Sequence, residues 1–169
     1  MACQTKPGVK QINGGTHPYR APEVILHQRH EASVDYYALG VIAYYCMLQK
    51  HFPVPSKDDL ARKLKKGELK QIKIHKDDVP EGWSSRSADF INKCIKINPE
   101  KRLGFSYTTG NGQIDELINH KWFKGFDWDK LRAQTLVSPF IPEQRSTNYY
   151  RGNAIKDFKD EGTAKLLMY

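Results

Sequence analysis

Within Gly15-Thr16-His17-Pro18-Tyr19-Arg20-Ala21-Pro22-Glu23, a glycine turn is followed by a hydroxyl, an aromatic ring and a carboxylate. Read by itself, the end of this stretch is a helix start. Pro22 takes the first helical position, and Glu23 sits in the first turn, where the helix dipole favours a negative charge. A second carboxylate raises a harder question. Asp35 is the one charge between Val34 and Leu48, and a buried carboxylate is costly unless donors meet it.

The elements that must hold these residues read as mainly helical. Met1 to Gly15 is polar and without period, and reads as loop. A short helix follows Pro22 through Leu26 and ends at the charged patch His27 to Glu31. Ser33 offers an N-cap for Val34 to Leu48, which is apolar on nearly every side and must therefore lie in the middle of the fold. Gly40 costs that helix about 1 kcal/mol relative to Ala, and so marks a close approach by another segment. After Pro53-Val54-Pro55, Asp58-Asp59 lead a helix carrying Leu60 and Leu64 that Gly67 stops. Ser84 or Ser85 caps the next helix, whose Ala88, Ile91, Cys94 and Ile95 make one buried face, with Asn98-Pro99 as its end. A Gly-rich loop (Gly104, Gly110, Gly112) leads to a helix around Ile114 to Asn119, and Trp122, Phe123 and Trp128 supply aromatic mass to close the core. From Ser138 the chain reads as extended.

Composition narrows the class. A chain of 169 residues, 39% hydrophobic, suffices for one core. With 27 Lys+Arg against 19 Asp+Glu the net charge is +8, which suits an acidic partner without saying which. The basic segment from Lys57 to Lys76 reads either as a phosphate or lipid contact or as a solvated helix face. Cys3, Cys46 and Cys94 are odd in number and far apart, which supports neither a disulfide framework nor a CxxC zinc site and favours a reducing, cytoplasmic setting. No signal peptide is visible, and Val34 to Leu48 is too short for a transmembrane segment.

Taken in order, a loop, Ala-Pro-Glu, a helix beginning with Asp and several smaller helices resemble the C-terminal lobe of a eukaryotic protein kinase. Gly15, Thr16, Tyr19, Ala21, Pro22 and Glu23 match the Gly-Thr-x-x-Tyr-x-Ala-Pro-Glu segment that closes the activation segment. Asp35 and Gly40 match the Asp-x-x-x-x-Gly helix, and Arg102, in Asn98-Pro99-Glu100-Lys101-Arg102-Leu103-Gly104, matches the basic residue that pairs with the Ala-Pro-Glu carboxylate. Asn119-His120-Lys121-Trp122-Phe123, Asp127-Trp128 and Ser138-Pro139-Phe140-Ile141-Pro142 look like the end of an AGC-group Ser/Thr kinase domain and the start of its tail.

The resemblance implies a fold and roles. It gives a partial activation segment over 1–23, a helical C-lobe subdomain over 24–137 and a C-terminal tail, partly disordered, over 138–169. Gly15, Thr16 and Tyr19 would shape the peptide-substrate pocket, with Thr16 hydrogen-bonding the catalytic Asp. Glu23 and Arg102 would form a buried ion pair. Asp35 would accept from catalytic-loop amides, and Ile42 and Cys46, four apart on one helix face, would anchor the hydrophobic spine; plain core packing explains those two as well. His17-Pro18 departs from the family's Gly-Thr-Pro pattern. Tyr45 stands where Arg-directed relatives carry an acidic residue. Ile12 replaces a phosphorylatable Thr, Thr5 being the only other hydroxyl upstream of Thr16, so loop phosphorylation is not supported.

Phosphoryl transfer in this family uses a Gly-x-Gly-x-x-Gly loop over the phosphates, a strand Lys, a catalytic-loop Asp and Asn, and an Asp-Phe-Gly, none of which is found in the 169 residues. The resemblance thus predicts an incomplete lobe, inactive as this chain alone, with no catalytic or metal residue and no cofactor of its own; ATP and Mg belong to the complete kinase. Met1 falls about where Asp-Phe-Gly would end, so it reads as an internal methionine of a longer kinase or as the start of a remnant. Two functions compete: the peptide-binding half of a Ser/Thr kinase, and a non-catalytic scaffold that binds peptides or other kinases. A nucleic-acid or lipid binder acting through Lys57 to Lys76 is a third reading, although no motif specifies a nucleic acid.

Overall fold

The computed structural model describes residues 14–105 and 114–139. The chain falls into two compact units, one ending at Lys124 and the other beginning at Gly125. The first carries the helical lobe, and all regular structure among the described residues is helical. The sequence readings at Met1 to Asn13, at Gly110 and Gly112, and from Phe140 to Tyr169, with Cys3, Thr5 and Ile12 among them, lie outside the described residues.

Helix α1, Pro22–Ile25, is a single turn with every residue buried. Helix α2, Ser33–Leu48, is the longest and packs chiefly against α4, Ser85–Cys94. Gly40 is the point of closest approach: a Cβ there would meet Cys94 Cβ at 2.6 Å and Ile95 Cγ2 at 2.9 Å. Around that contact, Tyr37, Val41 and Met47 of α2 join Ala88, Phe90, Ile91, Cys94 and Ile95 in one apolar core. Ala88, Ile91 and Cys94 recur at three residues, so one face of α4 is given wholly to burial.

Only part of α2 is buried, although its sequence is apolar nearly all round. Asp35, Leu39, Ile42, Tyr45 and Cys46 are exposed, and at steps of three and four residues Asp35, Leu39, Ile42 and Cys46 define one stripe down the helix. The N-terminus of α2 also differs from the sequence reading. Ala32 is the cap residue and Ser33 the first helical one; no side chain caps the helix, and the Ser33 carbonyl and hydroxyl both accept from Arg102.

Helix α3, Lys57–Lys65, is capped by Ser56, whose hydroxyl accepts from the Asp59 amide. Leu60 enters the core while Leu64 stays half exposed, so one leucine and not two anchors the helix. An extended arm follows. Two side-chain amides fasten it: Asn92 of α4 accepts from the Ile74 N–H and donates to the Ile74 carbonyl, both at 2.8 Å, and Gln71 donates to the Ile95 carbonyl while accepting from the Ile97 N–H. Ser84 caps α4 in a reciprocal box with Ser87.

Helix α5, Ile114–Ile118, sends Leu117 into the core. His120 follows, its Nδ1 accepting from the Trp122 N–H and its Nε2 lying 3.1 Å from the Asp89 carboxylate, so the next turn is tied back to α4. Trp122 and Phe123 then pack on Phe90 with ring centroids 5.0 and 5.2 Å away. In the second unit, Asp127 caps α6, Trp128–Arg132, by accepting from the Lys130 amide, and Phe126 meets the edge of Trp128.

Candidate functional site

Gly15, Thr16 and Tyr19 stand at the surface of a short, well-tied loop. His17–Tyr19 is a 3-10 turn closed by the Tyr19 N–H on the Thr16 carbonyl at 3.0 Å, and Gly15 takes a φ of 102° that side chains disfavour. Arg20 reaches back to donate to the Gly15 carbonyl. The next residues go inward: Ala21 is 1% exposed and Glu23 4%. The loop thus has one free end face, carrying a hydroxyl and a phenol, and one anchored end.

The anchor is Arg102, placed by the 3-10 turn Pro99–Lys101, which Asn98 caps through the Glu100 amide. Its guanidinium meets Glu23 with two parallel bonds, Nη1 to Oε1 at 2.6 Å and Nη2 to Oε2 at 3.0 Å, the planar fork that arginine supplies and lysine cannot. The remaining donors also have acceptors, since Nη1 donates to the Ser33 carbonyl and both Nη2 and Nε donate to the Lys96 carbonyl. All five N–H groups therefore find an acceptor, the Lys96 carbonyl taking two of them. The Tyr37 ring lies under the cation, 5.0 Å from the guanidinium carbon to the ring centroid. This one side chain joins the loop end, the start of α2, the end of α4 and the core ring of Tyr37.

Burial pushes the Tyr37 hydroxyl up to about 12; Glu23 adds to the rise and Arg102 opposes it. The Cys94 thiol is likewise raised to about 12, mainly by burial, so it stays protonated and serves as a small apolar side chain and not as a nucleophile. Among the described residues, no group of three His, Cys, Asp or Glu is placed to hold a metal ion.

The other residues singled out in the sequence divide between two faces of α2. Gly40 lies inside, against α4. Asp35, Ile42 and Cys46 lie on the exposed stripe; Asp35 has no ion pair among the described residues, and Ile42 is 49% exposed. Tyr45, also exposed, has its ring 5.5 Å from that of His51. Sequence reasoning missed Ser33, Lys96 and Tyr37 as the rest of the Arg102 cage. Two of the three contribute backbone carbonyls, which leave no mark in a sequence.

A loop stapled at its end to a helical bundle by a buried Glu–Arg fork, with a glycine-contact helix at the centre, defines the helical lobe of a kinase fold. The chain belongs to the protein kinase domain family, whose model matches residues 1–123. It is 36% identical over 149 residues to rhodopsin kinase GRK1 of Rattus norvegicus, covering 86% of this chain and 25% of that protein. To the Homo sapiens rhodopsin kinase GRK1 it is 35% identical, covering 96% of this chain and 27% of the relative. To cGMP-dependent protein kinase 2 of Homo sapiens it is 36% identical over 131 residues, 76% of this chain and 16% of that one. The chain therefore spans about a quarter or less of the length of these relatives, and is a helical-lobe segment of an AGC-like protein kinase. No helix among the described residues is long and apolar enough to cross a membrane.

Proposed function

We propose that this chain is the peptide-substrate-binding half of an ATP-dependent protein serine/threonine kinase, with Gly15, Thr16 and Tyr19 facing the acceptor peptide. The observation that carries the reading is the asymmetry of the Gly15–Glu23 loop. Its Thr16 and Tyr19 are exposed while its far end is fixed by the two-bond Glu23–Arg102 pair. A loop held in this way presents a shaped surface to a peptide without being ordered by it. ATP and Mg belong to the complete kinase; these 169 residues alone do not transfer phosphate, because they contain neither a His-Arg-Asp nor an Asp-Phe-Gly. Free Cys46 and Cys94 suit a cytoplasmic setting.

The test is a radiolabelled-ATP assay with Mg and a Ser/Thr peptide library, run on the chain alone and with the ATP-binding half of a related AGC kinase added in trans. Silence alone, and transfer in trans that Thr16→Ala reduces, support the reading. Transfer by the chain alone overturns it.

A second reading, a non-catalytic scaffold that binds peptides or other kinases, is favoured by the exposed α2 stripe of Leu39, Ile42, Tyr45 and Cys46. A stable complex with the added half that never transfers phosphate selects this reading over the first.

A further inference from the structure

We propose that the last turn of α3 and the arm that follows form a docking surface for an anionic lipid bilayer. Between Lys63 and Lys76 the chain has six lysines and one glutamate. The charges nearest the body of α3 are used locally: Arg62 and Lys63 both pair with Asp59, and Arg62 lies 3.8 Å from Glu68. Beyond them, Lys65, Lys66, Lys70, Lys73 and Lys76 are all exposed, and none has an ion pair among the described residues. Asp77 and Asp78 bound the surface at its far end, Asp78 accepting from the His75 amide.

The arm is fixed in place. Asn92 holds both backbone groups of Ile74, Gln71 bridges to Ile95 and Ile97, Ile74 is buried, and Ile72 packs on the core. Lys73 lies between these two anchors, so docking does not have to order the backbone that carries it. Leu64 adds an exposed apolar side chain between Lys63 and Lys65, where an interfacial helix end places one against acyl chains.

Side-chain chemistry selects the partner. From Lys57 to Asp78 there is no Phe, Tyr or Trp, and the single arginine is engaged by Asp59. The stacking groups that hold single-stranded nucleic acid and the free guanidinium forks that read bases or grip a phosphopeptide are therefore lacking. What remains is a set of ammonium point charges, suited to a fluid layer of acidic headgroups that asks for charge density and not for fixed geometry.

The experiment is flotation of the full chain with phosphatidylcholine vesicles, with or without about 30% phosphatidylserine. Each lysine near such a surface is worth about a fivefold change in partitioning. The chain should float with the anionic vesicles alone and be released by added salt. Lys66→Glu, Lys70→Glu and Lys73→Glu combined should lower partitioning at least about a hundredfold with an unchanged thermal melt, while arginine at the same three positions should retain it. Equal flotation of the charge-reversed variant, equal flotation with neutral vesicles, or capture by RNA or a phosphopeptide in the absence of vesicle binding overturns the proposal.

Discussion

The two faces of α2 were built by opposite rules. The inner face carries Tyr37 and meets Arg102 and α4, and there every charge is closed: Glu23 is answered twice and all five guanidinium donors have acceptors. The outer stripe carries Asp35, a carboxylate without an ion pair among the described residues, above three exposed apolar side chains, Leu39, Ile42 and Cys46. Both faces are equally apolar in sequence, so hydrophobicity does not decide between them. The inner face is a site of stability and the outer one is left exposed, and substitutions should separate the two.

Breaking the staple should have the largest effect. Arg102→Ala strands the Glu23 carboxylate at 4% exposure and leaves the Lys96 and Ser33 carbonyls short of a donor, for a loss of about 3–5 kcal/mol. Chemical denaturation measures it. Arg102→Lys should recover little, since one ammonium cannot make the two-bond fork. If Arg102→Lys restored most of the stability, the cage would matter only as a charge.

Alkaline pH should weaken the same face. Tyr37 is raised to about 12 in the folded state against about 10 unfolded, so its contribution is complete below about pH 10 and lost as pH rises towards 12. The full loss is on the order of 3 kcal/mol. Cys94, also near 12, acts in the same direction. Tyr37→Phe keeps the ring under Arg102 and removes the ionisable group, so melts taken across this window should lose less stability than the parent chain. An identical alkaline decline in both would shift the cause to other groups.

Gly40→Ala sets two effects of known size against each other. Helix propensity gains about 1 kcal/mol, while the new Cβ meets Cys94 Cβ at 2.6 Å and costs about 1–3 kcal/mol in overpacking. The clash should win, because Cys94 Cβ belongs to a rigid helix and not to a flexible side-chain end. A lowered melting temperature is expected, and a raised one would show that α2 and α4 can part without cost.

Much of this fold was legible from periodicity and caps. The recurrence of Ala88, Ile91 and Cys94 gave α4, and the serine pair Ser84-Ser85 gave its start to within one residue, the structure choosing Ser84, since both signals are local. Gly40 marked a close approach because a helix tolerates glycine at a cost. The ion pair joins residues 79 apart, and no local rule links such positions; only the resemblance related Glu23 to Arg102. Asn92 and Gln71, which fasten the arm, are single amides in polar text and make no motif. The open stripe was hidden for another reason. A helix apolar on all sides has no amphipathic signal to mark its exposed face, and Asp35 was the only cue to its register.

The smallest effect on stability should come from that stripe, and it bears most directly on function. Leu39→Ser and Ile42→Ser remove side chains that are 38% and 49% exposed. Each side chain is still about half covered and serine is the poorer helix former, so the change in unfolding free energy should be about 1 kcal/mol. Association should respond far more. An exposed apolar row draws other surfaces to it, so the parent chain should self-associate and bind an apolar dye, and the double variant should do both less. Light scattering and dye fluorescence at matched concentration read this directly. If the double variant lost several kcal/mol instead, the stripe would be part of the core and the contrast between the two faces of α2 would fail. If stability and association were both unchanged, the row would be an ordinary scatter of surface residues, and the scaffold reading would lose the observation that favours it.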